Sequence, residues 1–318
     1  MSRRRARDPG AGPHGLVCID KPAGPTSFTE MRSVQRALDT GRAGHGGTLD
    51  PLATGLLLVL VGEGTKLSPW VMRWDKTYRA LVRLGVATDT LDAEGSVIEE
   101  REIPPDAVSR ERVLEALKGF EGEQLQTPPV YSAIKVAGRS LMSRARAGES
   151  VAPEPRQVVC DGLELLGIDG LDIDVRLHVG KGYYVRSFAR DLGLALGVPA
   201  HLAALRRERV GPFKVEDAFS SDRVSASSVL TLPHALPDIP VRTLNAADAQ
   251  AIVEGRRIAA AGPEPELMVV DPDGGALAMV RRTEDDCLMV VRGFAPESRA
   301  AKPTEDADSV IDNAPVAD

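Results

Sequence analysis

The chain has 318 residues, 43% of them hydrophobic and 27% charged, which is enough apolar mass for a core without disulfide or metal staples. Its longest clean apolar run, Leu56 to Val61, is far too short to span a bilayer, and no apolar stretch of signal-peptide length follows Arg3, Arg4, Arg5 and Arg7, so a cytoplasmic protein is expected. The formal charge of −7 would argue against a nucleic-acid partner only if it were evenly spread, and it is not: Glu297 to Asp318 holds six acidic and two basic residues.

Residues 1–13 are Arg-, Gly- and Pro-rich and read as a disordered tail. Ordered chain should begin near Gly15, with the apolar Leu16-Val17-Cys18-Ile19. After the turn-rich DKPAGPTS, a helix is expected with Ser27 as its cap and Glu30 completing a capping box; Phe28, Met31, Val34 and Leu38 would form its apolar face. GRAGHGGTLDP then leads into a strand buried on both faces at Leu56–Val61. A further strand is expected at Thr77–Val86, a turn at LDAEG, and a helix over Ser109–Lys118 stopped by Gly119.

Leu171 to Val179 alternates strictly, with apolar residues at odd numbers and Asp172, Asp174, Arg176 and His178 between them, the pattern of a half-exposed strand. Continuing that period through KGYYVR puts Tyr184 and Arg186 on one side. SFARDLGLALG reads as a helix closed by Gly197. The Ser-, Ala- and Pro-rich stretch 222–240 suggests a hinge between a unit at 14–240 and a small β-rich appendage at 241–295. In the appendage Asn245 caps a short helix, and strands flank turns at DPDGG and TEDD. Residues 296–318 read as a disordered acidic tail. Helices and strands mix without strict alternation, so an α+β fold with a mixed, largely antiparallel sheet is expected.

Four segments join reactive side chains to unusual backbone. In Gly44-His45-Gly46-Gly47-Thr48-Leu49-Asp50-Pro51 the glycines permit close approach, and Pro51 restricts Asp50 to an extended conformation. Alone, this is most simply an Asp-Pro turn. Lys181 to Arg186 sets aromatic rings beside a guanidinium, suited to base stacking and to anchoring a carboxylate or phosphate. Lys76-Thr77-Tyr78 opens a strand. Thr127 to Lys135 is a Pro-fixed segment leading into the basic cluster Lys135, Arg139, Arg144 and Arg146; Arg206, Arg207, Arg209 and Lys214 form a second cluster. Asp89 to Gly95 does not have calcium-loop offsets, and P-loop, GxSxG and HExxH motifs are absent. The five histidines are dispersed, as are Cys18, Cys160 and Cys287, so neither a metal nor a small-molecule cofactor is expected.

In order, DKPAGPTS, GHGGTLDPLATGLL, TPPVYSAIKVAGRSLMSRARAG and KGYYVRSFARDLG resemble the motifs of the TruB family, the bacterial synthases that make pseudouridine at uridine 55 of tRNA. The resemblance implies a monomeric isomerase whose partner is the T-arm stem-loop of tRNA, without membrane attachment. It makes Asp50 the nucleophilic carboxylate and Arg186 its partner. Tyr78 would lie near the target base, with Tyr184 as a supporting ring and Leu205 lining the pocket. His45 would fill the space the base leaves, and Lys21 with Pro22 would brace the catalytic loop. Lys135 and the cluster at Arg206 would hold phosphates, and Arg186 would lower the Asp50 pKa. The resemblance also makes 14–240 the synthase domain and 241–295 a PUA-like RNA-binding domain. One departure stands out: Gly46 occupies a position where the family commonly has Thr.

Overall fold

Apolar runs and alternation generate most of the strands. The first half of the chain forms β1 (Gly15–Lys21), α1 (Ser27–Ala37), β2 (Ala43–His45), β3 (Thr54–Val61), α2 (Ser68–Val71), β4 (Lys76–Leu84), β5 (Val86–Thr88), β6 (Val97–Glu100), α3 (Arg110–Lys118) and β7 (Gly122–Gln126). The short β8 (Lys135–Val136) and β9 (Arg139–Ser140) precede β10 (Arg156–Asp169), β11 (Asp172–Val179), α4 (Val185–Leu196), β12 (Ala200–Val210), β13 (Phe213–Lys214) and β14 (Leu230–Thr231). The chain ends in β15 (Val241–Thr243), α5 (Ala246–Val253), β16 (Ile258–Ala259), β17 (Glu266–Val270), β18 (Ala276–Arg282) and β19 (Cys287–Gly293). The computed structural model describes residues 12–104, 108–131, 135–136, 139–140 and 153–299; most of both predicted tails, and Arg144 and Arg146 of the first basic cluster, lie outside them.

A ten-stranded sheet runs β14-β1-β3-β12-β4-β11-β10-β7, with β2 on β3 and β13 on β12. Its pairings are antiparallel except where β12 crosses β3 in parallel at Arg206↔Thr54 and Arg207↔Gly55. This is the mixed, largely antiparallel α+β architecture that the sequence predicts. The run in β3 is uninterrupted because both faces are covered. Leu57, Val59 and Val61 enter the core shared with α1, α3 and α4, while Leu56, Leu58 and Leu60 enter a second core on the opposite face. In β11, Ile173, Val175, Leu177 and Val179 are buried; between them Asp172 and Asp174 pair with Arg83 and Arg79 of β4.

Three local expectations are corrected. Thr26, not Ser27, caps α1, accepting from the Thr29 amide. Phe28 is 63% exposed, so the buried face of α1 is carried by Met31, Val34 and Leu38. Residues 222–240 are packed rather than hinge-like: β14 pairs with β1, and Leu232, Ala235 and Leu236 are buried in the second core.

That second core explains the packing. The C-terminal sheet, ordered β15-β17-β18-β19-β16, turns Leu267, Val269, Ala278 and Val280 toward α5. Its other face sends Met268, Ala276 and Met279 against Leu56, Leu58, Trp70 and Val71. Polar contacts reinforce the junction between the sheets: Trp70 Nε1 donates to Glu266 (2.8 Å), and Lys66 Nζ to the Gly293 carbonyl (2.8 Å). Buried Glu63 accepts from the Ala295 amide (2.8 Å) and pairs with Lys66 and Arg42. Burial pushes the Glu63 pKa up, but these bonds and charges outweigh it and hold the group below its ordinary 4.5. Glu63→Gln should therefore destabilise the protein by about 1–3 kcal/mol, because the neutral amide cannot accept from all three donors. The wild-type contribution is present above pH 4.5 and fades as pH falls through the depressed value, so thermal midpoints of wild type and variant should converge in acid.

Candidate active site

The segment from Gly46 to Pro51 is pinned at nearly every residue. The Gly46 amide donates to Leu58 O (2.8 Å), which docks the loop on β3. Gly47 sits at φ +135°, open to glycine and rarely to other residues. The Ser27 hydroxyl donates to Leu49 O (2.9 Å) and accepts from Leu49 N (2.7 Å), so one side chain satisfies both polar groups of a buried residue. Lys21, fully buried, donates to Pro22 O (2.8 Å) and Pro51 O (3.2 Å). Arg207 donates to Leu56 O (2.6 Å), Gly47 O (3.2 Å) and Thr48 O (3.5 Å). The Asp50 carboxylate thus projects from a backbone with little freedom to move.

Arg186 faces it. Its Nε lies 2.9 Å from Asp50 Oδ2, and its Nη1 lies 3.4 Å from Asp92 Oδ2. Further donors reach Thr90 O (3.0 Å) and Tyr131 O (2.9 Å). Arg186 is only 7% exposed, so its charge is held by two carboxylates and two carbonyls rather than by water. Tyr184 and Arg186 do not continue β11, which stops at Val179; Tyr184 is the N-cap of α4 and Arg186 lies in its first turn. Gln126 fixes the Tyr184 backbone by accepting from its amide (2.8 Å) and donating to its carbonyl (3.1 Å).

Arg186 does pull the Asp50 pKa down, as expected, and Lys21 adds to this; burial, the largest influence, and the charge of Asp92 outweigh both and hold it above the ordinary 3.8.

A cleft of about 300 Å³ opens over this pair, lined by Asp50, Tyr78, Tyr184, Arg186 and Leu205 among others. Five of the expected site residues are thus brought together. Lys21 lies beneath the loop, outside the cleft lining. His45, on β2, is also outside it; burial and then the nearby Arg207 push its pKa down, and its buried Nδ1 has no hydrogen-bond partner among the described residues. Lys135 falls on β8, where the side chains lie outside the described residues. The second basic cluster does not form one exposed patch: Arg206 pairs with Asp20 (2.9 Å) and is partly open to solvent, Arg207 is 1% exposed, and Arg209 and Lys214 are exposed.

Three groups at the site escape sequence reasoning. Asp92 lies in the turn whose offsets do not fit a calcium loop, and it is 3% exposed and bonded to Thr90 Oγ1 (2.6 Å). Arg207 is hidden among surface-looking arginines. Lys76 lines the cleft at the start of β4, where burial and then Arg207 push its pKa down to about 8.

Gly46 has a physical reason. A Cβ there would fall inside van der Waals contact of Val71 Cγ1, a short, fully buried side chain that cannot swing away. Gly46→Thr should cost about 1–3 kcal/mol through overpacking. Val71→Ala in the same chain should recover most of that, and denaturant titration of the two single variants and the double would show the coupling.

The family model for the TruB family pseudouridylate synthase N-terminal domain matches residues 35–185, and that for the tRNA pseudouridylate synthase B C-terminal domain matches 186–235. The tRNA pseudouridine synthase B of Thermobifida fusca is 41% identical over 287 residues, 87% of this chain and 97% of that protein. Its counterpart in Rhodospirillum rubrum is 42% identical over 81% of this chain and 85% of its own length. Among solved structures, a chain of a Cbf5-Nop10-Gar1 complex superposes with TM-score 0.67 at 25% identity, over 91% of this chain and 87% of that one. A chain of an H/ACA RNP bound to a substrate RNA containing 2′-deoxyuridine has TM-score 0.65 at 24% identity, covering 89% and 86%. The motifs around Asp50 and Arg186, the mixed sheet that carries them and these relationships agree: the chain belongs to the TruB family of pseudouridylate synthases.

Proposed function

We propose that the chain converts uridine 55 in the T loop of tRNA to pseudouridine, with Asp50 as the reacting carboxylate. The observation that carries this reading is the Asp50–Arg186 pair at 2.9 Å, on an immobilised loop at the floor of a cleft that also presents Tyr78. The curated relatives are named for tRNA, and family membership supplies the reaction class.

The reaction breaks the bond between ribose C1′ and N1, turns the base, and joins C1′ to C5. The C5 proton is lost and N1 gains one, so the product is an isomer and no oxidant or reductant is consumed. The target base first leaves its stack, at a cost of a few kcal/mol. Stacking on Tyr78 offsets part of this, about 1–3 kcal/mol for a base on an aromatic ring. Tyr184 supports that ring, Leu205 closes the pocket, and His45 fills the space left in the loop. Asp50 then attacks C1′ as a glycosidase carboxylate does, or stabilises positive charge while a proton leaves the ribose. Both routes need it anionic. Lys135 contacts the RNA backbone. The 14–240 segment acts as the synthase domain, the 241–295 PUA-like domain adds RNA contact, and a single chain suffices in the cytoplasm. Among the described residues no helix is long and apolar enough to cross a membrane.

Asp50→Asn keeps shape and removes charge, so isomerisation should vanish while stem-loop affinity changes little. Nucleotide-resolution mapping on tRNA would show whether position 55 alone is affected, and turnover by the variant would dismiss the role of Asp50. The acid limb of kcat/KM should lie above the ordinary aspartate value of 3.8, because the raised pKa means that the carboxylate protonates sooner as pH falls. A limb at or below that value, read from stem-loop assays, would contradict the half-buried environment of Asp50.

A further inference from the structure

We propose that Lys76 and Arg207 form an anion subsite inside the cleft that takes a phosphodiester flanking the target uridine. This rests on the T-loop reading above and adds to it a specific contact.

Both residues line the cleft, and both are buried, Lys76 at 9% and Arg207 at 1% exposure. Neither has a carboxylate partner among the described residues. Lys76 Nζ donates to Met72 O (3.2 Å) and to Trp74 O, while Arg207 donates to three carbonyls, those of Leu56, Gly47 and Thr48. Carbonyls can be satisfied by neutral donors, so these bonds do not explain why two full charges are kept out of water. The nearest acid acting on Lys76 is Asp75, an exposed side chain whose influence is smaller than that of Arg207.

Donor capacity remains. An ammonium offers three N–H groups and a guanidinium five. The bonds to carbonyls engage two on Lys76 and three on Arg207, leaving spare donors on both side chains.

The cleft is consequently polarised. Around Asp50, two carboxylates face the one guanidinium of Arg186. On the side of Lys76 and Arg207, two cations have no carboxylate within ion-pair distance among the described residues. A nucleotide unit has matching polarity, with a ribose C1′ that must approach a carboxylate and phosphates that must avoid one. Low-dielectric walls concentrate the field of such charges in the cleft. The subsite would then orient the nucleotide as well as hold it.

Arg207 also holds the catalytic loop, so Lys76 is the side chain to vary. Wild-type enzyme is assayed on T-arm stem-loops with a neutral methylphosphonate at either phosphate flanking the target uridine. At one of the two positions kcat/KM should fall about tenfold, the loss carried mainly by KM, as expected when a charge-assisted contact is removed. Lys76→Met should show a similar rise in KM on the unmodified stem-loop and little further loss on that methylphosphonate, and Lys76→Arg should restore most of the discrimination. Wild type that accepts both methylphosphonates without a change in KM overturns the subsite without recourse to any variant. Losses from Lys76→Met and from the methylphosphonate that simply multiply also overturn it, because independent effects do not share a contact. Absence of turnover on the unmodified stem-loop would instead sink the T-loop assignment, so the two failures are told apart.

Discussion

The cleft is organised by the burial of one guanidinium. Arg186 joins four segments distant in sequence: the loop carrying Asp50, the turn at 90–92, the segment at Tyr131 and the start of α4. Removing a charge of this size from water costs several kcal/mol per ion unless geometry and hydrogen bonding compensate. Here compensation needs all four segments in place at once. The pair is consequently a better device for positioning than for stability. Its components arrive from independent parts of the chain, and a displaced segment leaves a buried donor or acceptor without its partner.

The same burial sets a tension in the chemistry. The proposed reaction needs an anion beside the sugar, yet excluding water disfavours the charged form of Asp50, and Asp92 adds a second negative charge. Arg186 and Lys21 restrain the shift without reversing it. The outcome suits the task. A carboxylate with a raised pKa is more basic and more nucleophilic than an ordinary one. A stronger pull from Arg186 would have secured ionisation at the expense of reactivity.

The sequence carries much of this and conceals the rest for identifiable reasons. The β3 run and the β11 alternation are local patterns, and both give the observed strands. The GHGGTLDP segment identifies its aspartate because glycines and a proline restrict the backbone locally. A period of two, however, does not announce where a strand stops, so the pattern runs on through Tyr184 and Arg186 although these residues open a helix. Ser27 and Phe28 show a similar limit. Moving the α1 cap by one residue leaves Ser27 free to bind Leu49 and turns Phe28 to solvent. Asp92 and Arg207 acquire meaning only through partners that lie 94 residues away for the first (Arg186) and 151 to 160 residues away for the second. No window of local sequence contains those pairings.

The short helix α2 links the second sheet to the chemistry. On one side Trp70 and Val71 are packed in the core that holds Met268 and Met279, and Trp70 also bonds Glu266. On the other side the segment meets the cleft twice. Val71 fills the space beside Gly46, and the carbonyls of Met72 and Trp74 hold Lys76. Any shift of the second sheet would have to move α2, and moving α2 would disturb both the backbone of the Asp50 loop and a buried cation. The departure at position 46 is then a consequence of packing: with a valine at 71 there is no volume for a hydroxyl-bearing side chain, and the loop closes on glycine. On the proposed reading, glycine offers the substrate no side-chain hydroxyl, and the polar groups of the nucleotide find their partners elsewhere in the cleft. The cationic wall formed by Lys76 and Arg207 is a part of it that has no carboxylate partner among the described residues.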